Sequence, residues 1–136
     1  MGSDQYSVSD RCIGEFRELG HGRPDGPSLH AAVRDEGDQD EQFLVRYLSA
    51  GTVVTVSGTG VHDVLSPGHE FIGALSLLTD GQWLWYSDLA HYVGRYHVTL
   101  DERFTQHARS QNWTPPQLTP AELAALDEAF HDDEGA

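Results

Sequence analysis

The chain is predicted to be an α+β protein, because β-branched and hairpin-type segments cluster in its middle and amphipathic segments lie at both ends. Its 136 residues are the length of one domain and can bury a core without disulfides or metals. No internal repeat or low-complexity linker divides the sequence. We therefore expect a single domain over 1–136, with 1–27 and 131–136 partly irregular.

Helices are expected before the sheet. The spacing of apolar residues predicts a short helix over 10–19, and a loop rich in Gly and Pro follows it. Ser28 is placed to cap a second short helix over 29–36. The next helix, 41–50, has the apolar stripe of a core-facing helix and is stopped by Gly51 in the C′ position.

The sheet is expected to be a central antiparallel meander of three to four strands. These strands are predicted at about 52–57, 61–65, 70–78 and 82–86. Asp80-Gly81 is the strongest hairpin signal, because this pair favours a two-residue type I′ turn. Such a turn would pair Thr79 with Gln82 and Leu78 with Trp83.

Both faces of this hairpin are apolar. With the predicted register, one face carries Leu75, Leu77, Leu84 and Tyr86, and the other carries Ala74, Leu78, Trp83 and Trp85. An antiparallel sheet with one solvated face does not need this pattern. Either other parts of the chain cover both faces, or one face meets a partner.

Three helices are expected after the sheet, over about 88–97, over about 99–111 and from 119 onward. Ser87 lies where an N-cap belongs, ahead of an apolar stripe. Thr99 and Thr119 each begin a capping box, with a glutamate three residues later.

Charge is the strongest compositional feature. The chain has 22 acidic residues against 8 basic ones, and all eight are arginine. The net charge is −6 over 1–41, −2 over 42–113 and −6 over 114–136. The absence of lysine excludes a Schiff-base lysine and a phosphate-loop lysine. An acidic surface repels nucleic acid and anionic membranes and attracts basic proteins, although solubility alone also explains it.

The sequence predicts a cytoplasmic protein. Its N-terminus has no basic region followed by an apolar one, as a signal peptide would have. No apolar run is long enough for a membrane span. A single cysteine, Cys12, excludes an intramolecular disulfide.

Histidines supply the candidates for chemistry. Asp88 lies three residues before His91, a spacing that lets a carboxylate orient an imidazole on a helix. His62 lies before a Gly/Pro-rich loop and is the third candidate catalytic residue. No metal-binding motif accompanies these residues, so neither a metal nor another cofactor is predicted. An enzyme or small-molecule binder with an aromatic, His-lined pocket beside the sheet is the alternative interpretation.

The leading interpretation is a non-catalytic protein-binding module with a basic protein partner. Its binding surface is predicted to contain five carboxylates and one of two tryptophans: Asp35, Glu36, Asp38, Asp40, Glu41, and Trp83 or Trp85. Tryptophan is a frequent hot-spot residue, and acidic rim charges accelerate encounter with a basic target. A C-terminal helix covering the tryptophan face is an alternative, and a homodimer formed through a sheet face or edge is another.

The block 80-DGQWLWYSDLAHYVGRYHV-98 resembles a block in small acidic, lysine-poor proteins of high-GC bacteria. In size, acidity and α+β layout the chain is also similar to immunity proteins of bacterial toxin systems. The second resemblance implies a non-enzymatic protein that binds and blocks a basic, often nuclease-type, toxin. It assigns no contact residue, because immunity families share no common motif.

Overall fold

A computed structural model describes residues 12–126 and has an α+β fold with helices before and after a three-stranded antiparallel sheet. The elements are α1 (Leu29–Ala32), α2 (Glu41–Ser49), β1 (Thr52–His62), β2 (Phe71–Thr79), β3 (Leu84–Tyr86), α3 (Leu89–Tyr96) and α4 (Glu102–Ser110). A further helical segment covers 120–126. No helix within 12–126 has the length and apolar character needed to cross a membrane. The predicted fold class is therefore confirmed.

The first predicted helix is absent from its described part, 12–19. This segment runs alongside β3 instead, and the amide of Ile13 donates to the carbonyl of Leu84 at 3.0 Å. Gly14 has a φ of 76°, a left-handed conformation that does not continue a helix. The remainder of that predicted helix, like the tail 131–136, lies outside the described residues.

Helix α1 is a single turn whose N-terminus is capped from two sides. The hydroxyl of Ser28 accepts a hydrogen bond from the amide of Ala31 at 3.2 Å, as the sequence predicted. The carboxylate of Glu18 accepts hydrogen bonds from the amides of Leu29 and His30, at 2.6 and 3.1 Å. These bonds tie the N-terminal loop to the start of the helical part of the chain.

Strand β1 contains the predicted strand 52–57 and the first two residues of the predicted strand 61–65, and 63–65 lies outside any strand. Gly58 has a φ of 79°, and the register with β2 shifts between Val56 and Gly60. Glycine in this conformation forms a bulge within a strand as readily as a turn between two strands. The strand therefore continues to His62, giving three strands in all and a bulged outer strand.

The β2–β3 hairpin has a longer loop than predicted. Thr79 pairs with Leu84 and Leu78 pairs with Trp85, so the loop is 80–83 rather than a two-residue turn. The predicted register was wrong by two residues. Because side chains alternate with a period of two, this shift leaves every residue on the face to which it was assigned.

The cause of the longer loop is the buried carboxylate of Asp80. One of its oxygens accepts hydrogen bonds from the amides of Gln82 and Trp83 at 2.9 and 2.8 Å. Its other oxygen accepts the hydroxyl hydrogen of Tyr47 at 2.6 Å and lies 3.2 Å from Nε2 of His107. An aspartate that binds two amides of its own loop favours this turn over type I′. The same carboxylate holds the loop against α2 and α4.

The two faces of the hairpin are covered by different parts of the chain. On one face, the rings of Trp83 and Trp85 pack edge-on against Phe104 of α4, with centroids 5.6 and 5.4 Å apart. On the other face, the imidazole of His21 lies 4.4 Å from the ring of Tyr86. The apolar character of both faces is thus accounted for by helices on one side and by the N-terminal loop on the other.

The two outer edges of the sheet differ. The segment that contains Ile13 occupies the outer edge of β3. No described residue pairs with the outer edge of β1, which carries no charged side chain over 52–61. Val53 and Val56 of β1 are 46% and 61% exposed. The sheet therefore presents one long, uncharged, partly apolar edge.

Helices α3 and α4 begin with different caps from those predicted. Asp88, not Ser87, occupies the N-cap position of α3, although its side chain makes no capping hydrogen bond. The hydroxyl of Ser87 instead accepts a hydrogen bond from the amide of Ser76 in β2, at 2.9 Å. Asp101, not Thr99, caps α4. These differences move the helix starts by one to three residues and leave the number of helices unchanged.

Candidate functional site

The acidic segment, defined as 35–41, joins α1 to α2. Three of its carboxylates contact basic side chains of other parts of the chain: Asp38 with Arg34 (3.3 Å), Asp40 with Arg109 (3.3 Å) and Glu41 with His97 (2.9 Å). Asp35 and Glu36 are exposed and form no ion pair with any residue in 12–126. Three of the five carboxylates of the segment therefore form ion pairs within the fold, and the other two are exposed to solvent.

Asp38, Asp40 and Glu41 of the acidic segment line a cavity of about 280 Å³, called the acidic cavity below, whereas Asp35 and Glu36 lie outside its lining. Its carboxylates face an apolar wall that includes Leu44, Val98 and Trp113. The arginines that pair with the segment also line the cavity. This combination offers negative charge at the rim and apolar surface within reach of it.

Trp113 is held in the acidic cavity by a strained turn at the end of α4. Asn112 and Trp113 both have left-handed backbones, with φ values of 56° and 57°. For a bulky residue this conformation is uncommon and costs about 1–3 kcal/mol. The amide of Trp113 donates to the carbonyl of Ala108, and its ring stacks near Phe43 at 6.2 Å. Arg109 lies 5.5 Å above the same ring.

Trp83 and Trp85, expected to supply a surface anchor, are core residues. They are 7% and 1% exposed, and the indole N–H of Trp85 donates to the carbonyl of Leu48 at 2.9 Å. Neither ring is available at the surface in this fold. The alternative prediction, that a helix from the C-terminal part of the chain covers this face, agrees with the structure. Phe104 of α4 contacts both rings. The aromatic residue beside the acidic segment is Trp113.

The three candidate catalytic residues do not form one constellation. Nε2 of His91 lies 2.7 Å from Asp63, not from Asp88 as the helical spacing predicted. Asp88 contacts His21 instead, again at 2.7 Å. The predicted Asp88–His91 pair is therefore wrong.

Asp63 is the fully buried centre of a hydrogen-bond network. Its carboxylate accepts hydrogen bonds from the hydroxyl of Tyr96 at 2.8 Å and from the amides of Leu65 and Ser66 at 2.8 and 3.0 Å. Burial alone would raise the pKa of Asp63, but the hydrogen bonds from His91, Tyr96 and these amides outweigh it and lower the pKa. The network fastens the loop after β1 to α3. The contact of His91 with Asp63 is therefore explained by its role in holding the fold together.

Asp88 and His62 both line a second cavity, called the sheet cavity below, of about 410 Å³. It lies between the N-terminal loop and β1, and His21 is a third polar residue of its wall. The His21–Asp88 contact joins residues that are 67 positions apart. No periodicity or motif links them, so sequence reasoning missed His21.

Negative charge surrounds the His21–Asp88 contact. Burial raises the pKa of Tyr86, and the nearby charges of Cys12, Glu15 and Asp88 raise it further. Burial likewise raises the pKa of Glu15, against the lowering effects of Arg23 and His21. Both directions are those expected of acidic groups in a partly desolvated, negative environment.

No group of three or more His, Cys, Asp and Glu side chains in the described part of the chain is arranged to hold a metal ion. Comparison with protein-family models, with curated proteins and with solved structures found no match. The resemblances drawn from the block 80–98 and from the overall layout therefore stay predictions.

Proposed function

We propose that the protein is a non-catalytic, immunity-like binding module that takes a basic protein partner at the acidic segment and acidic cavity. The observation that carries this proposal is the position of the acidic segment. Three of its carboxylates, Asp38, Asp40 and Glu41, line a concave site that also contains apolar side chains.

The composition of the acidic cavity matches an arginine or lysine side chain. Such a side chain has an apolar stem and a cationic end, and it buries the stem while keeping the charge near polar groups. Leu44, Val98 and Trp113 can contact the stem, and the acidic segment can receive the cation. Tryptophan is also the best aromatic partner for a cation.

Charge supports the same proposal at longer range. Most described arginines already contact a carboxylate of this chain, so they contribute little positive potential at the surface. Asp35 and Glu36 pair with no basic side chain in 12–126; they do not line the acidic cavity but precede its lining residues in the chain. Unpaired carboxylates beside a binding site accelerate the approach of a positively charged partner more than they add to its final affinity.

The test is calorimetric titration with an oligo-arginine peptide, using an oligo-citrulline peptide of equal length as the uncharged control. We expect the arginine peptide alone to bind, and its affinity to fall at least about tenfold between about 50 mM and about 500 mM salt. The variant Asp35→Asn/Glu36→Gln should weaken binding without breaking any ion pair recorded within the fold.

A matched control separates a site from net charge. Asp25→Asn/Glu102→Gln removes two charges at exposed positions outside the acidic cavity. We expect this variant to bind the peptide nearly as tightly as the wild type. If both double variants lose the same affinity, the peptide responds to total charge only, and the proposal is wrong.

A further inference from the structure

The sheet cavity contains a buried carboxylate with an unsatisfied oxygen. The side chain of Asp88 is 3% exposed, and its Oδ2 atom contacts Nε2 of His21 at 2.7 Å. Oδ1 of Asp88 and Nδ1 of His21 are buried and have no hydrogen-bond partner among residues 12–126. Each buried polar atom left in this state costs about 1–3 kcal/mol.

Both unsatisfied atoms are acceptors when the imidazole is neutral. An ionised carboxylate has no hydrogen, so the hydrogen of the His21–Asp88 bond resides on Nε2 of His21. Nδ1 of that imidazole then carries a lone pair, as does Oδ1 of Asp88. What Oδ1 of Asp88 lacks is therefore a hydrogen-bond donor.

The rest of the sheet cavity determines what kind of donor fits. Its wall is mainly apolar and includes Leu19, Val61 and Leu75. No arginine is among the described residues that line it, so the contact of Asp88 with a basic group there is the one with His21. Pockets of this size, apolar with a few convergent polar groups, are typical of small-molecule sites.

We propose that the sheet cavity binds a small primary amine with an apolar body. The ammonium group donates to Oδ1 of Asp88, and the apolar body packs against Leu19 and Leu75. A charged donor is favoured over a hydroxyl because an ammonium group also compensates the negative charge of the buried carboxylate. An anion is disfavoured by Asp88 itself.

Access to Asp88 passes through β1. The stretch 57–60 of β1 is exposed, contains the bulge at Gly58, and lines the sheet cavity at Ser57, Thr59 and Gly60. A bulged strand that is paired on one side only opens at low free-energy cost. The ligand enters by displacement of this stretch, and the buried carboxylate need not be exposed beforehand.

The experiment compares three probes of similar shape and different charge: phenethylamine, 2-phenylethanol and 3-phenylpropionate. Binding to the full chain is measured by calorimetry and by amide chemical shifts. We expect the amine to bind at least about tenfold more tightly than the alcohol, and the carboxylate least tightly of the three. The shifts should be largest in 57–62 and near His21.

Two variants locate the binding. Asp88→Asn keeps the shape of the side chain and should abolish the preference for the amine over the alcohol. Thr59→Trp fills the sheet cavity from its exposed rim and should remove binding of the amine. Its control is Thr55→Trp, on the same strand but outside the cavity, which should bind as the wild type does. Because Thr59 is exposed, this test stands even if Asp88→Asn does not fold.

The outcomes are separable from those of the proposed function. If the three probes bind equally, or none binds, or Thr59→Trp leaves amine binding unchanged, the inference is wrong. It is also wrong if the amine is lost in Asp35→Asn/Glu36→Gln instead, because that result would place the amine in the acidic cavity.

Discussion

Imidazole–carboxylate contacts join parts of the chain that are distant in sequence. Within the described residues these contacts are His21–Asp88, His91–Asp63, His97–Glu41 and His107–Asp80. The chain has no lysine, and most of its arginines are exposed. Imidazole is shorter and less strongly hydrated than either of those cations, and it can donate while neutral. Histidine therefore forms the partly buried contacts with carboxylates that link distant parts of this acidic protein.

Glu18 gives a prediction at the residue scale. Partial burial raises its pKa, but hydrogen bonds from Leu29, His30 and Ser28 outweigh this effect and lower the pKa from 4.5 to about 2. Because the folded-state value lies below the unfolded one, the resulting stability is present above pH 4.5 and is lost as the pH falls toward about 2.

The variant Glu18→Gln tests this expectation by urea unfolding at a series of pH values. The variant should be less stable than the wild type above pH 4.5, and the difference between the two should shrink as the pH approaches about 2. Parallel stability curves over this range would contradict the assignment.

Single residues were predicted best where their role is local. Ser28 caps α1 as expected, because an N-cap depends on neighbours within three residues. The partners of Asp88 and Trp83 could not be predicted, because they lie in loops or helices far along the chain. Asp88 contacts His21 rather than His91, and Trp83 faces Phe104 rather than solvent.

At the scale of elements, the presence of helices and strands was predicted more accurately than the residues at which they begin and end. The capping box of Thr119 and Glu122 is confirmed, with reciprocal bonds of 2.8 and 3.2 Å. The hairpin was predicted in the correct place with the wrong loop, since Asp80 binds its own backbone and overrides the local turn preference. A break between two strands is predicted at Gly58, whereas the structure has a bulge there. Glycine is typical of both turns and bulges, so the sequence alone does not distinguish them.

Gly51 gives a prediction at the element scale. It follows the C-cap residue Ala50 and so stops α2 in the predicted C′ position, although its φ is not positive. Glycine is needed at this position because there is no room for a side chain. An added Cβ would lie 2.7 Å from the ring of Trp85 and 3.1 Å from the carbonyl oxygen of Thr79. We expect Gly51→Ala to lower the free energy of unfolding by about 1–3 kcal/mol, because neither neighbour can move freely in the core.

Gly68 provides the matched control for this substitution. A Cβ there would meet nothing within 4 Å. Gly68→Ala should therefore change the free energy of unfolding by less than about 0.5 kcal/mol in the same denaturant experiment. If the two substitutions change the free energy of unfolding equally, close contact with Trp85 is not what requires glycine at position 51.

At the scale of the whole molecule, composition and element order were sufficient to predict an α+β protein with a central meander. They did not predict which part of the chain covers which face. The N-terminal segment, whose apolar spacing predicts a helix over 10–19, instead covers the Tyr86 face and occupies the β3 edge. Long-range packing of this kind leaves no local signal in a single sequence.

The free edge of β1 gives a prediction about the whole molecule. A net charge of −14 keeps copies apart at low salt, although the edge is uncharged and exposes Val53 and Val56. At about 1 M salt, where the screening length is about 3 Å, we expect self-association in sedimentation experiments. Val56→Lys should suppress it, because an edge lysine opposes strand pairing.

The control for edge pairing is Val33→Lys. Val33 is exposed but lies outside the sheet, so the added charge is the same and the edge is unchanged. High-salt association that is equally sensitive to both substitutions would exclude pairing through β1.

The contrast between Trp113 and the two core tryptophans has a practical consequence. Trp83 and Trp85 are enclosed, whereas Trp113 is half-buried at the acidic cavity. The intrinsic emission of the protein therefore contains two components, one sensitive to unfolding and one sensitive to occupancy of the cavity. Ionic quenchers can distinguish them, since caesium is drawn to an anionic rim and iodide is repelled from it.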